Sequence, residues 1–215
     1  AIVFATANAR STVYRRGHMD SIGVKAYSAT GEVTGETRFV GFFSTAAFIG
    51  STRNIPLVRL KVDNVLRRAG HSPESHSGKT LSYVLETFPR GELLQISDAQ
   101  LLEWTTAISQ LTLNPRTRVF VREDEFGRFV SVLVYGLRDR YTSSVREKIT
   151  AFFAEVYGGT LAYFTPFFPD GPMVRLQIVI WREEGDLPRY PQAHLEKEIE
   201  NIVRTWRDEL STQLQ

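Results

Sequence analysis

Cysteine is absent from the 215 residues of this sequence. Its absence excludes a disulfide framework, a thiol nucleophile, and zinc or iron–sulfur sites that use cysteine ligands. A chain without cysteine is also compatible with a reducing compartment, and we expect this chain to lie in the cytoplasm.

Long apolar runs are absent as well. A membrane-spanning helix needs about 20 apolar residues, whereas the longest strand-like runs, Phe129–Leu137 and Met173–Trp181, are shorter and contain polar residues. Ala1–Ala7 lacks the basic flank and the apolar core of a signal peptide. We therefore expect neither a membrane segment nor a leader. Because the chain starts without Met, inside a strand-like segment, we expect it to be a piece of a longer protein.

A strong excess of either charge is also missing. The chain has 26 Lys and Arg residues against 24 Asp and Glu residues, a formal net charge of +2 at pH 7. This balance gives no strong attraction to nucleic acid or to an anionic membrane. With 42% hydrophobic and 23% charged residues, the composition is that of a folded protein of one or two domains.

The glycine spacing excludes the usual nucleotide sites. No two glycines are separated by a single residue, so the G-x-G-x-x-G fingerprint of dinucleotide binding is not met. Gly78-Lys79-Thr80 has the form of the end of a P-loop, but Pro73 stands where the first glycine belongs. We interpret this segment as the start of a helix. The sequence also lacks the G-x-S-x-G motif that would identify a nucleophilic serine. We predict no catalytic residue.

Metal binding is not predicted. His71 and His76 lie five residues apart, which does not place them on one helical face, and no third ligand is near. His194 is expected at the surface. Glu123, Asp124 and Glu125 are adjacent carboxylates in a predicted hairpin turn, where we expect them to be solvated and to discourage edge pairing.

Residues 118–190 give the densest structural signal. The predicted elements are strands at Arg118–Arg122, Arg128–Tyr135, Thr160–Phe168 and Met173–Trp181, with a helix that begins after Thr142. The order strand, helix, strand, strand predicts a ferredoxin-like unit of the ACT type. An amphipathic helix is predicted over Pro191–Leu214, with Leu195, Ile199, Ile202, Val203, Trp206 and Leu210 on one face.

The first half predicts two further regions. Ile2–Thr6, Gly23–Tyr27 and Glu32–Phe43 read as strands of a partial antiparallel sheet. Helices are predicted from Val58, over Gly78–Phe88 and from Ser97. The fold class is therefore α+β, with the partial sheet in residues 1–50, a helical connector in 51–115, the ACT-like domain in 116–190 and the last helix in 191–215.

Several sequence motifs resemble one known family. They are "R-x-F-V-R-x-D-x-F-G-R-F-V-S" and "L-V-Y-x-x-R-D-R-Y-x-x-x-V-R-E-K-I" within 118–149, "RSTVYRRGHMDSIGV" at Arg10–Val24, "RFVGFFST" at Arg38–Thr45, and Ile55–Phe88. This collinear set resembles the non-catalytic N-terminal portion of the large bacterial NAD-dependent glutamate dehydrogenases. The resemblance implies that residues 1–50 are the end of a PAS-like sheet. It also implies that NAD and the catalytic residues belong to other parts of the parent chain.

The strongest candidate site is the segment Gly136–Tyr141, "GLRDRY". The resemblance implies that this loop binds a small amino acid or contacts another domain or subunit, because the equivalent loop of ACT domains commonly does so. Glycine allows close backbone approach and a helix N-terminus offers free N–H groups. The candidate residues, for ligand binding or for an interface, are Gly136, Leu137, Arg138, Asp139 and Arg140.

Nucleic-acid binding is the alternative function. Phe126–Val132, "FGRFVSV", is similar to the RNP1 pattern of RNA-binding strands, although Arg128 interrupts it and Val132 replaces an aromatic residue. We favour burial of Phe129 beneath the helix. A polar cluster, Arg10, Arg15, Arg16 and His18, is either an anion or partner contact or a solvated loop. A third alternative is an independent enzyme, but the sequence contains no catalytic motif that supports it.

Overall fold

The computed structural model describes residues 2–13, 17–182 and 187–204. It divides the chain into two compact units, Ala1–Thr105 and Thr106–Gln215. The predicted α+β class is confirmed, with a three-stranded antiparallel sheet, helices and then a four-stranded antiparallel sheet. The division of the chain into four domains stays a prediction.

The first unit begins with an antiparallel sheet of strands β1 (Ile2–Ser11), β2 (Gly17–Tyr27) and β3 (Val33–Gly41), in the order β1-β2-β3. The turn between β2 and β3 places Gly31 at φ +86°, a conformation that favours glycine. Strands β1 and β2 are longer than predicted, because polar residues at their ends still pair. Strand β3 lies within its predicted range, Glu32–Phe43.

Five helices follow the sheet. They are α1 (Thr45–Ile49), α2 (Val58–Ala69), α3 (His76–Thr87), α4 (Arg90–Gln95) and α5 (Asp98–Ser109). Val62 and Val65 of α2 and Leu81 and Leu85 of α3 are buried, as their helical spacing predicts. Gly70 ends α2 in the left-handed conformation at φ 69°, which is the usual glycine helix stop.

A lysine ties α2 to the junction between α4 and α5. The Lys61 ammonium donates to the carbonyl oxygens of Leu93 at 2.8 Å and Ile96 at 2.6 Å. These carbonyls lie at the C-terminal end of α4, where helix carbonyls lack backbone partners. Asn64, one turn further along α2, donates its side-chain amide to the Asp98 carboxylate at the start of α5. These bonds hold the junction at a fixed place on α2.

The second unit contains strands β4 (Arg118–Glu123), β5 (Phe129–Leu137), β6 (Gly159–Phe167) and β7 (Met173–Arg182), with helices α6 (Ser143–Val156) and α7 (Gln192–Val203). The sheet order is β4-β5-β7-β6 and all neighbours are antiparallel. Because α6 joins β5 to β6 while β7 lies between them, this is a split β-α-β arrangement of the ferredoxin-like kind. The predicted last helix is described from Gln192 to Val203, and Trp206 and Leu210 lie outside the described residues.

One face of this sheet packs against the two helices. Alternate strand residues, such as Val132 in β5 and Ile178 in β7, share a buried cluster with Phe153 of α6 and Leu195 of α7. Because successive strand side chains point to opposite faces, Phe129 lies on the other face. It is 4% exposed and stacks on Trp181 at a centroid distance of 5.8 Å. The prediction that Phe129 is buried is right, but its predicted place beneath the helix is wrong.

The hairpin between β4 and β5 corrects another expectation. Glu123 and Glu125 are exposed, but Asp124 is only 3% exposed. Its carboxylate accepts the backbone N–H groups of Phe126 and Arg128 and forms an ion pair with the Arg128 guanidinium at 2.7 Å. A turn of this shape needs an acceptor for those N–H groups, so the middle carboxylate points inward.

Candidate functional site

The segment GLRDRY connects β5 to α6 at one end of the second sheet. Gly136 and Leu137 are still strand residues, paired with Val174 and Met173 of β7. Arg138, Asp139 and Arg140 then form a short 3-10 turn, closed by the N–H of Tyr141, which donates to the carbonyl oxygen of Arg138. The predicted site residues are therefore contiguous in space, with Arg138 and Asp139 exposed.

The turn before β7 holds this loop. The N–H of Arg138 donates to the carbonyl oxygen of Pro172 at 2.7 Å. The guanidinium of Arg138 lies over the ring of Phe168, with Cζ 5.3 Å from the ring centroid. The ring of Tyr141 meets that of Phe168 edge to face at 5.6 Å. Phe168 thus contacts a residue at each end of the 3-10 turn.

Tyr141 extends the same group of side chains toward β6. Partial burial raises the pKa of the Tyr141 hydroxyl, and the nearby positive charge of Arg146 opposes that rise. The guanidinium of Arg146 lies over the ring of Phe164 at 4.5 Å. Ring contacts therefore join Arg138, Phe168 and Tyr141 in one group and Arg146 and Phe164 in another, and the charge of Arg146 acts on Tyr141 across the two.

The start of α6 adds positive potential. Thr142 is the N-cap, and its hydroxyl accepts the N–H of Val145 at 3.2 Å, as the sequence predicts. No acidic residue lies in the first turn of α6, so the partial positive charge of the helix N-terminus is not neutralised there. A carboxylate near this turn would be stabilised.

Glycine at position 136 is not required by internal packing. A Cβ added to Gly136 would meet no heavy atom of the described residues within 4 Å. The open space leaves room for an approaching group, which the prediction of a contact site needs. The sequence could not have shown that the loop contacts Phe168 and Pro172, because the pairing of β7 with β5 brings the two segments together.

Other predicted candidates lie elsewhere. Gly78-Lys79-Thr80 forms the first turn of α3, where a Cβ on Gly78 would lie 2.1 Å from the carbonyl oxygen of Ser72. Packing therefore explains this glycine. Arg10 donates to the His18 ring at 3.1 Å, while Arg15 and Arg16 lie outside the described residues. His194 is exposed at the surface, as predicted, and stacks on Tyr190.

Two classes of site are not observed in the part of the chain that the structure describes. No group of three His, Cys, Asp or Glu side chains could hold a metal ion there. Within the same residues, no helix combines the length and apolar character needed to cross a membrane.

The split β-α-β sheet with its two helices defines the class: an α+β protein with an ACT-type domain. Residues 118–207 match the family model of the glutamate dehydrogenase ACT2 domain, and residues 55–114 match that of glutamate dehydrogenase helical motif 1. These two matches confirm the predicted resemblance to the glutamate dehydrogenases.

Curated relatives agree over nearly the whole chain. An NAD-specific glutamate dehydrogenase of Halomonas elongata is 33% identical over 208 residues, which are 96% of this chain and 13% of the relative. The corresponding enzymes of Pseudomonas aeruginosa and Mycobacterium tuberculosis are 32% and 34% identical, over 97% of this chain and 13% of each relative. The chain therefore spans about an eighth of the length of these relatives.

Proposed function

We propose that this chain is a non-catalytic regulatory and assembly segment of an NAD-dependent glutamate dehydrogenase. The parent enzyme converts L-glutamate, NAD and water to 2-oxoglutarate, ammonia and NADH. Other parts of the parent bind NAD and carry the catalytic residues, since this chain contains no G-x-G-x-x-G fingerprint. We place the parent in the cytoplasm, in keeping with a chain without cysteine.

One observation supports this proposal above the others. Relatives named NAD-specific glutamate dehydrogenases match 96% or more of this chain, yet the match covers only 13% of their own length. If this chain is a segment of such an enzyme, most of the parent enzyme lies outside it and can contact it. Its action would be to hold neighbouring domains or subunits in register, and so to couple contacts made here to the distant active site.

Within the segment, we assign the contact to the GLRDRY loop. Its backbone is held by Pro172, and Arg138 and Tyr141 both contact the ring of Phe168, while Arg138 and Asp139 are exposed. A loop that is held in place and carries exposed charges suits contact with another protein surface better than enclosure of a small molecule. Amino-acid binding remains the second candidate, supported by the acid-free N-terminus of α6.

Nucleic-acid binding is the less supported function. An RNA-binding strand of the RNP1 type needs exposed aromatic rings on which bases stack. Of the two aromatic residues in the pattern, Phe129 is 4% exposed and stacks on Trp181. Phe126 is 59% exposed, but it lies in the turn and the Arg128 guanidinium lies over its ring at 4.8 Å, so the strand itself presents no exposed aromatic ring of the pattern.

The test uses the full-length parent enzyme carrying Arg138→Glu and Asp139→Lys together. We expect the double variant to shift the oligomeric mass measured by light scattering, or to change the dependence of glutamate oxidation on enzyme concentration. Glu103→Lys, at an exposed position of α5, is the matched control. Unchanged mass and activity in the double variant would contradict the contact role.

Calorimetric titration of the 215-residue chain with a set of amino acids tests the second candidate. Heat of binding that Arg138→Glu abolishes would favour amino-acid sensing. A gene whose complete reading frame encodes no dinucleotide-binding region would contradict the whole proposal.

A further inference from the structure

We propose that the open edge of the second sheet docks an acidic protein segment. The docking surface is the aromatic–arginine cluster, defined as Arg138, Tyr141, Arg146, Phe164 and Phe168. This inference rests on the proposed contact role and deepens it by naming the chemistry of the partner. The partner segment carries Asp or Glu side chains and lies outside these 215 residues.

The two edges of the sheet differ. At the β4 edge, the Glu196 carboxylate of α7 accepts the N–H of Val119 at 3.2 Å and pairs with Arg118 at 3.2 Å. At the β6 edge, every residue from Thr160 to Pro166 is exposed. Among the residues that the structure describes, the β4 edge is thus contacted by α7, whereas the β6 edge is exposed and can receive a partner.

Addition of a partner strand to β6 is disfavoured. Pro166 has no N–H to donate to a neighbouring strand, and the pairing of β6 with β7 shifts register between Leu161 and Tyr163. Proline and irregular pairing are the usual means by which an edge strand resists further pairing. A partner at this edge must therefore bind through side chains.

The exposed side chains on and next to β6 are apolar to an unusual degree. Tyr163 is 51% exposed, Phe168 45%, Leu161 41% and Phe164 36%. Tyrosine, phenylalanine and arginine are enriched at the centres of protein interfaces. The composition of this edge is thus that of a protein-binding surface.

The cluster holds its two guanidinium groups in place. Arg138 stacks on Phe168 at 5.3 Å and Arg146 stacks on Phe164 at 4.5 Å, and the ring of Tyr141 meets that of Phe168 edge to face. A stacked guanidinium can still bind a carboxylate through its N–H edge, and it loses less side-chain freedom when it does so.

The charges of the cluster fit a carboxylate-bearing partner. Arg138 is exposed and makes no ion pair with the residues that the structure describes. Arg146 forms an ion pair at 3.0 Å with Glu147, whose side chain is 70% exposed. An exposed carboxylate can therefore bind this guanidinium. The acid-free N-terminus of α6 adds to the positive potential. Guanidinium groups bind carboxylates with paired hydrogen bonds.

The experiment measures binding of a fluorescein-labelled hexaglutamate peptide to the 215-residue chain by fluorescence anisotropy at low salt. We expect saturable binding, and about tenfold or greater weakening in Arg138→Glu, the loss of a charge-assisted hydrogen bond. Phe168→Ala, which keeps the net charge, should also weaken binding because Arg138 loses its stacking partner. Arg59→Glu, at an exposed position of α2, makes the same charge change and should leave binding nearly unchanged.

Several outcomes would overturn the proposal. Equal weakening by Arg59→Glu and Arg138→Glu would show attraction by net charge alone, and no binding of hexaglutamate would remove the site. Tighter binding of an oligothymidylate of equal charge would assign the surface to nucleic acid. Thermal melts check that each variant folds, and Arg138→Gln replaces Arg138→Glu if the latter does not.

The outcome also separates this inference from the proposed function. Loss of hexaglutamate binding in Arg138→Glu, with unchanged mass of the full-length parent, would support acidic docking and contradict the assembly role. A changed mass with unchanged hexaglutamate binding would do the opposite.

Discussion

Asp124 and Arg128 form a nearly buried ion pair across the turn between β4 and β5. Two parallel contacts join them, from Nε to Oδ2 at 2.7 Å and from Nη2 to Oδ1 at 3.0 Å. The same carboxylate accepts two backbone N–H groups of the turn. One aspartate therefore satisfies most of the donors of this hairpin.

Replacement of this aspartate should destabilise the second unit. Asp124→Ala removes the carboxylate that pairs with the Arg128 guanidinium and accepts two backbone N–H groups, and breaking such a pair costs about 3–5 kcal/mol when it is buried. Because the Arg128 side chain is 18% exposed, we expect the lower end of that range. Urea unfolding followed by circular dichroism measures the change.

Glu125→Ala is the matched control, since Glu125 is exposed. Exposed substitutions usually change the free energy of unfolding by less than about 0.5 kcal/mol. A similar loss of stability in both variants would show that Asp124 has no special role in the turn.

Sequence patterns were sufficient to predict the second sheet. Its strands have Val- and Ile-rich runs with clear turns, so β5 was predicted at Arg128–Tyr135 and lies at Phe129–Leu137. The short helices α1 and α4 were not predicted, because five or six residues are too few to show a helical period. Strand β2 begins at Gly17 and not at Gly23, since the polar residues of its first half still pair with the neighbouring strands.

The candidate site was predictable only in part. The loop could be placed between a strand and a helix, because Thr142 is a recognisable N-cap. The contacts that close it come from Phe168 and Pro172, which β7 carries to the loop by pairing with β5. Such contacts depend on sheet order, which local sequence does not encode. The inward carboxylate of Asp124 was missed for a similar reason.

The acid dependence of stability should involve Glu86. Its carboxylate accepts the N–H and hydroxyl of Thr52 and lies 3.6 Å from Arg90. Burial raises the pKa of Glu86, but the bonds from Thr52 and the charge of Arg90 outweigh it, and the net pKa is lowered. A lowered folded-state pKa gives stability that is present above the unfolded pKa and lost as pH falls through the folded pKa.

Glu86→Gln should therefore flatten the loss of stability below about pH 4.5, the usual glutamate value. Thermal melts between pH 3 and pH 7 measure this slope. Glu103→Gln changes an exposed carboxylate of α5 and should leave the slope as in the parent sequence. If the melting temperature of Glu86→Gln falls with pH as steeply as that of the parent sequence, the carboxylate is not stabilised by Thr52 and Arg90.

Gly78 and Gly91 each lie near the start of a helix, which allows the effect of alanine to be compared at the two positions. A Cβ at Gly78 would lie 2.1 Å from the carbonyl oxygen of Ser72, whereas one at Gly91 would meet no described atom within 4 Å. Gly78→Ala should destabilise the first unit by about 1–3 kcal/mol, the usual cost of overpacking. Gly91→Ala should stabilise it by about 0.5–1 kcal/mol, because alanine favours the helix. Denaturant midpoints measure both changes, and the same sign for the two variants would contradict the close contact at Gly78.

Leu57 has a backbone conformation that is rare for a side chain of its kind. Its φ is 68° and its ψ is −47°, and the N–H of Val58 donates to the carbonyl oxygen of Pro56 at 2.8 Å, which together describe a strained γ-turn. Leu57→Ala and Leu57→Gly both remove the side chain, but only glycine relieves the strain.

The difference between these two variants isolates the strain from the loss of packing. We expect Leu57→Gly to be about 1 kcal/mol more stable than Leu57→Ala, the usual cost of a left-handed conformation at a residue with a Cβ. In an ordinary helical position the order is reversed, because alanine is favoured over glycine. Chemical unfolding of the two variants under one set of conditions measures the order, and a more stable alanine variant would show that α2 begins without the γ-turn.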